Sequence, residues 1–109
     1  MKKFDVLFLE EAEEFLDSVE EKARRKILFN ITKASMTNDP VLLKKLNAVV
    51  WEFRTKYQGK EYRLFAFWDK RDKKNTLVIS THGLIKKTQK TPQSHILKTE
   101  RIAQKYLNQ

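Results

Sequence analysis

The sequence predicts an α+β fold, in which helices pack on one side of a small, mostly antiparallel sheet with the element order β-α-α-β-β-β-α. Three observations lead to this prediction. A β-forming run followed by helical periodicity opens the chain, three consecutive strand patterns occupy its middle, and a second helical pattern closes it. With 109 residues, 40% of them hydrophobic, we expect one domain over residues 1–109.

The first two elements follow directly from local composition. The run from Phe4 to Leu9 is rich in β-formers and predicts a well-buried strand. Residues Glu10 to Asp17 favour a short helix, because acidic side chains in a first turn complement the helix dipole.

A second helix is expected to begin at Ser18, because Ser18 and Glu21 have the spacing of a capping box. Its apolar residues recur at steps of four and three, which defines one helical face: Val19, Ala23, Ile27, Ile31 and Ala34. The sequence Asn38-Asp39-Pro40 ends this helix and favours a short helical turn through Leu43.

The middle of the chain predicts three consecutive strands, over Val49–Tyr57, Glu61–Asp69 and Thr76–His82. A tight turn at residues 58–60 joins the first two, and a charged loop over residues 69–75 joins the last two. The register of the hairpin stays open. A three-residue loop with a left-handed Gly59 gives one alignment and a simpler loop gives the other.

A last helix is predicted from about Pro92 to Leu107. Its buried face is expected to hold Ile96, Thr99, Ile102, Ala103, Tyr106 and Leu107. His95, in the first turn, is expected to lie at the surface.

The charge is unevenly distributed along the chain. Residues 1–22 carry eight acidic and three basic side chains, whereas residues 23–109 carry twenty basic and six acidic ones, giving +9 overall. A basic body of this size favours polyanions, with nucleic acid first and an acidic protein partner second. No basic amphipathic helix or apolar span supports a membrane partner, and the N-terminus lacks the pattern of a signal peptide.

Composition also narrows the possible chemistry. The chain has no cysteine, which excludes disulfides and thiolate catalysis and fits a cytoplasmic protein. No metal-ligand spacing is present, and with two glycines a phosphate-cradling loop is close to excluded. We therefore expect no metal and no cofactor.

The segment from Gly83 to Pro92 is the most informative part of the sequence. It follows the apolar run Leu77-Val78-Ile79 and is expected to form an exposed connection after a strand. Lys86, Lys87, Thr88 and Lys90 supply charge and hydrogen bonds suited to a phosphate. The alternative is a solvated basic loop.

The hairpin supplies a second group of candidate residues. Alternation puts Glu52, Arg54 and Lys56 on the face opposite the core aromatics, where they either meet solvent or form the floor of an anion site. If Arg63 shares that face, two guanidiniums converge with only Glu52 to balance them, which suits a phosphodiester in its transition state. His82, at the end of the third strand, is a candidate for proton transfer.

These residues resemble those of the RelE/ParE superfamily of bacterial type II toxins, and most closely its phage-derived, HigB-like branch. The resemblance lies in Trp51-Glu52-Phe53-Arg54, in Tyr62-Arg63-Leu64-Phe65, and above all in the run from His82 to Pro92. It implies a RelE-like domain that cleaves messenger RNA on the ribosome without a metal, by attack of the 2′-hydroxyl. A cognate antitoxin, expected to be a helix-turn-helix protein, would neutralise it.

The resemblance also implies roles for individual residues. By residue type, Arg54 and Arg63 resemble the family's strand-borne cations, and Lys86, Lys87 and Lys90 resemble its basic residues after the last strand. Together with the residue chemistry above, this leads us to expect catalysis from Arg63, Lys86, Lys87, His82 and Glu52, and RNA binding from Arg54, Lys56, Thr88 and Lys90. Some relatives carry a catalytic tyrosine near the C-terminus, whereas this chain offers only Tyr106 inside the last helix. The general base therefore stays open between His82, Glu52 and a lysine.

Three other functions remain open at this stage: a ParE-like inhibitor of DNA gyrase, a non-catalytic RNA-binding protein, and a prophage toxin that has lost activity. In the toxin interpretation, alanine at Arg63 or Lys87 should lower toxicity without unfolding the protein, since exposed cations add little stability. The antitoxin should be acidic where it docks, and we expect contacts with residues 10–37 and 93–107.

Overall fold

The computed structural model describes residues 3–37, 39–71, 76–86 and 91–109, with the side chains of 78–84 and 86 excepted. The predicted elements are present, and one short strand is added. In chain order they are β1 (Asp5–Phe8), α1 (Glu10–Ser18), α2 (Glu21–Thr37), β2 (Leu43–Lys45), β3 (Trp51–Tyr57), β4 (Lys60–Asp69), β5 (Thr76–Lys86) and α3 (Gln93–Leu107). The α+β class is confirmed. No helix in the described part of the chain is long and apolar enough to cross a membrane.

The strands form one five-stranded sheet in the order β1-β5-β4-β3-β2. β1 runs parallel to β5, and the other neighbouring pairs are antiparallel. β4 is the central strand, and its residues from Tyr62 to Phe67 are all buried. β1 is an edge strand with alternating exposure, so the expectation that it is well buried was wrong for Asp5 and Leu7.

Helices cover both faces of the sheet, so the prediction that they pack on one side was wrong. Tyr62 and Leu64 belong to a large core shared with α1 and α2, whereas Phe67 packs against Ala103 of α3. Because successive side chains of a strand point to opposite faces, the uninterrupted burial along β4 requires cover on both.

The junction between α1 and α2 differs from the predicted capping box. Ser18 is the last residue of α1, and its hydroxyl donates to the backbone oxygen of Phe15 at 2.7 Å. Val19 is extended, and α2 begins at Glu21. An N-cap residue lies immediately before the first helical residue, and Ser18 lies three residues before Glu21, so it cannot cap α2. The predicted apolar face of α2 is confirmed, with Val19 packed beside it: Ala23, Ile27, Ile31 and Ala34 are buried.

The chain after α2 makes the predicted helical turn and then enters β2. The backbone nitrogens of Leu42 and Leu43 donate to the carbonyl oxygen of Asp39, whose side chain accepts from the nitrogen of Val41. Leu43 then pairs with Phe53 of β3. A strand of three residues is too short to show a period of two, which explains why the sequence pattern missed it.

A two-residue turn settles the register of the hairpin. Gln58 and Gly59 have φ angles of 48° and 76°, and Tyr57 pairs directly with Lys60. Positive φ at both central residues is the geometry of a type I′ turn, which matches the twist of paired strands. This simpler loop places Arg54 directly opposite Arg63.

Candidate functional site

A network of ion pairs joins β3 and β4 on the face that carries Arg54 and Arg63. Oε1 of Glu52 accepts hydrogen bonds from Nε of Arg54 at 2.9 Å and from Nη1 of Arg63 at 2.7 Å. Nη2 of Arg63 donates to Oε1 of Glu61 at 2.7 Å. Two guanidiniums and two carboxylates therefore alternate in space, and their formal charges cancel. We call these four residues the arginine–glutamate network.

The segment that leads into α3 also contacts this network. The hydroxyl of Thr91 donates to Oε2 of Glu52 at 2.6 Å, so both oxygens of that carboxylate are hydrogen-bonded. The ring of His95 in α3 stacks on Phe65 of β4, with centroids 5.6 Å apart and planes 3° apart. His95 is therefore half-buried against the sheet, and the expectation that it lies at the surface was wrong.

Burial divides the network into an inner and an outer part. The side chains of Glu52 and Arg63 are 0% exposed, whereas that of Arg54 is 24% exposed. Arg54 is thus the guanidinium that meets solvent, and its position depends on Glu52. The expectation that Arg63 is an exposed cation, replaceable without cost to the fold, was wrong.

The electrostatics of the network keep Glu61 ionised. The hydrogen bond from Arg63 lowers the pKa of Glu61 below its ordinary value, and the charges of Arg63, Lys56 and Arg54 lower it further against a desolvation effect. The Nε of Arg63 is buried and has no hydrogen-bond partner within the described residues. Such an atom is an exception that calls for an explanation in a functional site.

β5 carries the other candidate residues next to the network. It continues past His82 to Lys86, so the first half of the predicted exposed connection is strand. Leu64 pairs with Gly83 and Ala66 with Ile79, which leaves residues 80–82, including His82, opposite Phe65 alone. Irregularities of this kind are common beside active sites.

Besides the two arginines, Lys56 and the backbone of Lys86 can be placed, whereas two predicted lysines and a predicted threonine cannot. Lys86 lies opposite Glu61 in the register of β4 and β5. Lys56 is exposed on β3 and lies opposite the same Glu61 in the register of β3 and β4. Lys87, Thr88 and Lys90 lie outside the described residues. Arg54, Lys56, Arg63 and the backbone of Lys86 therefore lie in one region of the sheet.

A cleft that the sequence did not predict lies beside this region, at the edge of β3. Its volume is about 360 Å³, and α2, the turn before β2, β3 and the start of β4 all contribute to its lining: Lys26, Asn30, Val41, Leu42, Arg54, Lys56 and Glu61. Asn30 was an available signal, because it is a polar residue among the mostly apolar buried residues of α2. We call this space the β3-edge cleft.

Among the described residues, no group of three or more histidine, cysteine or acidic side chains is arranged to hold a metal ion. The chemistry that the described site offers rests on fixed cations, hydroxyls and carboxylates. Fixed cations favour anionic ligands, and the planar guanidinium fits the geometry of phosphate esters and carboxylates.

The fold and the site define a small α+β protein with a basic surface beside a buried arginine–glutamate network. Residues 14–104 match the family model described as "Phage derived protein Gp49-like (DUF891)". The match spans most of the chain, and the protein therefore belongs to this phage-derived family of toxin-like proteins. None of the curated proteins matches the chain in sequence.

Proposed function

We propose that this protein is the toxin of a type II toxin–antitoxin system, and that it cleaves messenger RNA on the ribosome by metal-independent attack of a 2′-hydroxyl. The observation that carries the proposal is Arg54, a partly exposed guanidinium fixed by Glu52 on a sheet face next to further cations. Membership of a toxin-like phage-derived family supports it.

Fixed cations suit this reaction because attack of the 2′-hydroxyl builds negative charge on the non-bridging phosphate oxygens. A donor that is already oriented stabilises that charge without reorganising when the reaction occurs. In our proposal Arg54 and Lys56 bind the phosphate, with Lys86, Lys87, Thr88 and Lys90 as further ligands from the end of β5 and the segment after it.

The inner residues of the network have a different role in this proposal. Glu52 and Arg63 are buried, and the carboxylate of Glu52 already accepts three hydrogen bonds. We therefore assign both to positioning Arg54, in place of direct contact with RNA. The unpartnered Nε of Arg63 is the one feature that favours a closer role for that side chain.

Proton transfer is assigned to His82 in the proposal, with Lys86 and Lys87 as the other candidates. An imidazole changes protonation near neutral pH, which suits a group that must accept and return a proton. The irregular pairing of β5 at residues 80–82 sets this stretch apart from the regular ladder on either side.

In the proposal, the ribosome orients the messenger RNA, which a 13.0 kDa protein is too small to do by itself. In-line attack requires the 2′-oxygen and the phosphate to be aligned, and ordering a flexible messenger is entropically costly. The excess of +14 on residues 23–109 favours binding to ribosomal RNA, and the same charge favours an acidic antitoxin, expected to be a helix-turn-helix protein.

Induced expression in a bacterium tests the proposal, with growth measured alongside mapping of new 5′ ends in messenger RNA. The native protein should arrest growth and produce cuts that disappear when translation initiation is blocked. Arg54→Ala should reduce cleavage by about 10²-fold or more, as removal of one oxyanion donor does. Arg101→Ala, which removes an exposed arginine from α3, should behave like the native protein.

Two outcomes would contradict the proposal. Growth arrest with DNA breaks and intact messages would identify a gyrase inhibitor. Binding to RNA with no cleavage in any translation assay would identify a non-catalytic RNA-binding protein.

A further inference from the structure

The β3-edge cleft exists because β3 loses its neighbouring strand halfway along its length. β2 pairs with residues Trp51–Phe53, so within the described residues no strand lies beside the edge of β3 beyond Phe53. The turn before β2 remains attached there through a hydrogen bond from the nitrogen of Arg54 to the oxygen of Leu42, at 2.8 Å. α2 forms the far wall, and the start of β4 completes the lining, so four segments of the chain build the cleft.

The charge of the cleft favours an anion. Lys26, Arg54 and Lys56 line it, and the one carboxylate in the lining is Glu61. Glu61 is hydrogen-bonded to Arg63, so its charge is already balanced from outside the cleft. Lys26 and Lys56 form no ion pair with any described residue, which leaves two ammonium groups for a ligand.

The cleft also has a polar amide and an apolar wall. Nδ2 of Asn30, a residue 9% exposed, donates to Oγ1 of Thr55 at 3.2 Å. This bond fixes the amide and uses one of its two N–H donors, and no described residue donates to its carbonyl oxygen. Val41, which is 74% exposed, and Leu42 provide the apolar surface.

We propose that the β3-edge cleft binds one nucleotide of single-stranded RNA, next to the phosphate that Arg54 contacts. Lys26 binds the nucleotide's phosphate, Val41 and Leu42 contact the face of the base, and the side-chain amide of Asn30 meets its hydrogen-bonding edge. This inference rests on the proposed function and extends it, because a base-reading cleft would give the enzyme a sequence preference.

Three features favour a nucleotide over an acidic protein segment. A carboxylate would contact only the cations. A base has a flat face, which suits the apolar wall, and a hydrogen-bonding edge, which suits the fixed amide. A volume of about 360 Å³ lies at the small end of ligand pockets, which span roughly 300–1,000 Å³. Arg54 belongs both to the cleft and to the network, so a nucleotide bound there is adjacent to the proposed reaction centre.

Direct binding tests this inference without ribosomes and without cleavage. The probe is a fluorescently labelled single-stranded RNA of about ten nucleotides with mixed sequence, and anisotropy is followed over a salt series. Lys26→Gln should weaken binding several-fold and reduce the slope of log K against log salt by roughly 0.7, as expected for one lost phosphate contact to a single strand. Lys33→Gln is the matched control, because it removes the same charge from the same helix outside the cleft.

A second variant tests the apolar wall apart from charge. Val41→Ser removes apolar surface at an exposed position and leaves the net charge unchanged, so the fold should survive, and RNA binding should weaken with no change in the salt slope. In the translation assay, Lys26→Gln should also change which messenger sites are cut. Equal RNA binding by Lys26→Gln, Lys33→Gln and the native protein would overturn the inference.

The outcomes distinguish this inference from the proposed function. A native protein that binds RNA through the cleft and never cuts messages contradicts the proposed function only. A native protein that cuts, with Lys26→Gln unchanged in both RNA binding and cut sites, contradicts the cleft. If the two cleft variants weaken antitoxin binding and leave RNA binding unchanged, the cleft docks an acidic protein and the nucleotide assignment is wrong.

Discussion

Arg54 and Arg63 lie directly opposite each other on β3 and β4, and both donate to the same oxygen of Glu52. Like charges at directly paired positions destabilise a sheet unless a counter-charge lies between them. Glu52 supplies that charge from the same face of the sheet, and Glu61 accepts a hydrogen bond from Nη2 of Arg63. This arrangement makes one arginine a buried support and leaves the other available to a ligand.

Arg63→Ala should destabilise the protein by about 3–5 kcal/mol, because it leaves the buried carboxylate of Glu52 without its main counter-charge. Urea denaturation followed by circular dichroism measures the change in the free energy of unfolding. Arg101→Ala, an exposed control, should change it by less than about 0.5 kcal/mol. A loss of less than about 1 kcal/mol in Arg63→Ala would show that the network does not hold the sheet together.

Thr91→Val should destabilise the protein by about 1–3 kcal/mol, because a buried carboxylate oxygen of Glu52 loses its hydroxyl donor. The volume of the side chain hardly changes, so the effect reports the hydrogen bond. Thr37→Val makes the same chemical change at an exposed site near the end of α2 and should stay within about 0.5 kcal/mol. Equal effects of the two substitutions would contradict the assignment.

Glu61 should make the stability of the protein depend on acid pH. The pKa of its carboxyl is lower in the folded protein than in the unfolded chain, chiefly through the hydrogen bond from Arg63. Its contribution is therefore complete above the unfolded pKa and disappears as pH falls through the folded pKa. The gap in unfolding free energy between the native protein and Glu61→Gln should be present near neutral pH and shrink below about pH 4.5. A gap that stays constant from neutral pH to pH 3 or so would contradict this prediction.

The turn between β3 and β4 offers a stabilising substitution. Gln58 has a φ of 48°, a conformation that asparagine adopts more readily, so Gln58→Asn should stabilise the protein by roughly 0.5–1 kcal/mol. Gly59→Ala should cost about 1–2 kcal/mol, although a Cβ there would meet no atom within 4 Å, because its φ of 76° strains any larger residue. Thermal denaturation measures both changes. An unchanged melting temperature in both variants would mean that the turn tolerates other geometries.

The order of the elements and the apolar face of α2 could be predicted from sequence because each depends on local periodicity. The end of α2 could be predicted from the local sequence Asn38-Asp39-Pro40, and the helix does end at Thr37. The capping-box prediction failed because α1 extends through Ser18, and that extension depends on packing of Leu16 into the core. Short-range signals compete at such junctions, and tertiary contacts decide between them.

The candidate site could be predicted only in part. Alternation along β3 placed Glu52, Arg54 and Lys56 on one face, and the excess of basic residues indicated an anionic ligand. The β3-edge cleft had no sequence signature of its own, because its lining comes from four separate segments of the chain. Among the described lining residues, Asn30 pointed to it, as a polar residue on a mostly apolar face.

Local sequence patterns specify which residues alternate along the strands, that a tight turn joins β3 and β4, and that the body of the protein is basic. The structure fixes which turn forms at Gln58 and Gly59, and it fixes which cations are exposed. Alternation along a strand shows that two side chains share a face of the sheet. Whether that face meets water depends on the position of α3, a helix of fifteen residues at the far end of the chain. Because α3 packs over β4 and Thr91 closes on Glu52, Arg63 becomes part of the core and Arg54 stays within reach of a ligand.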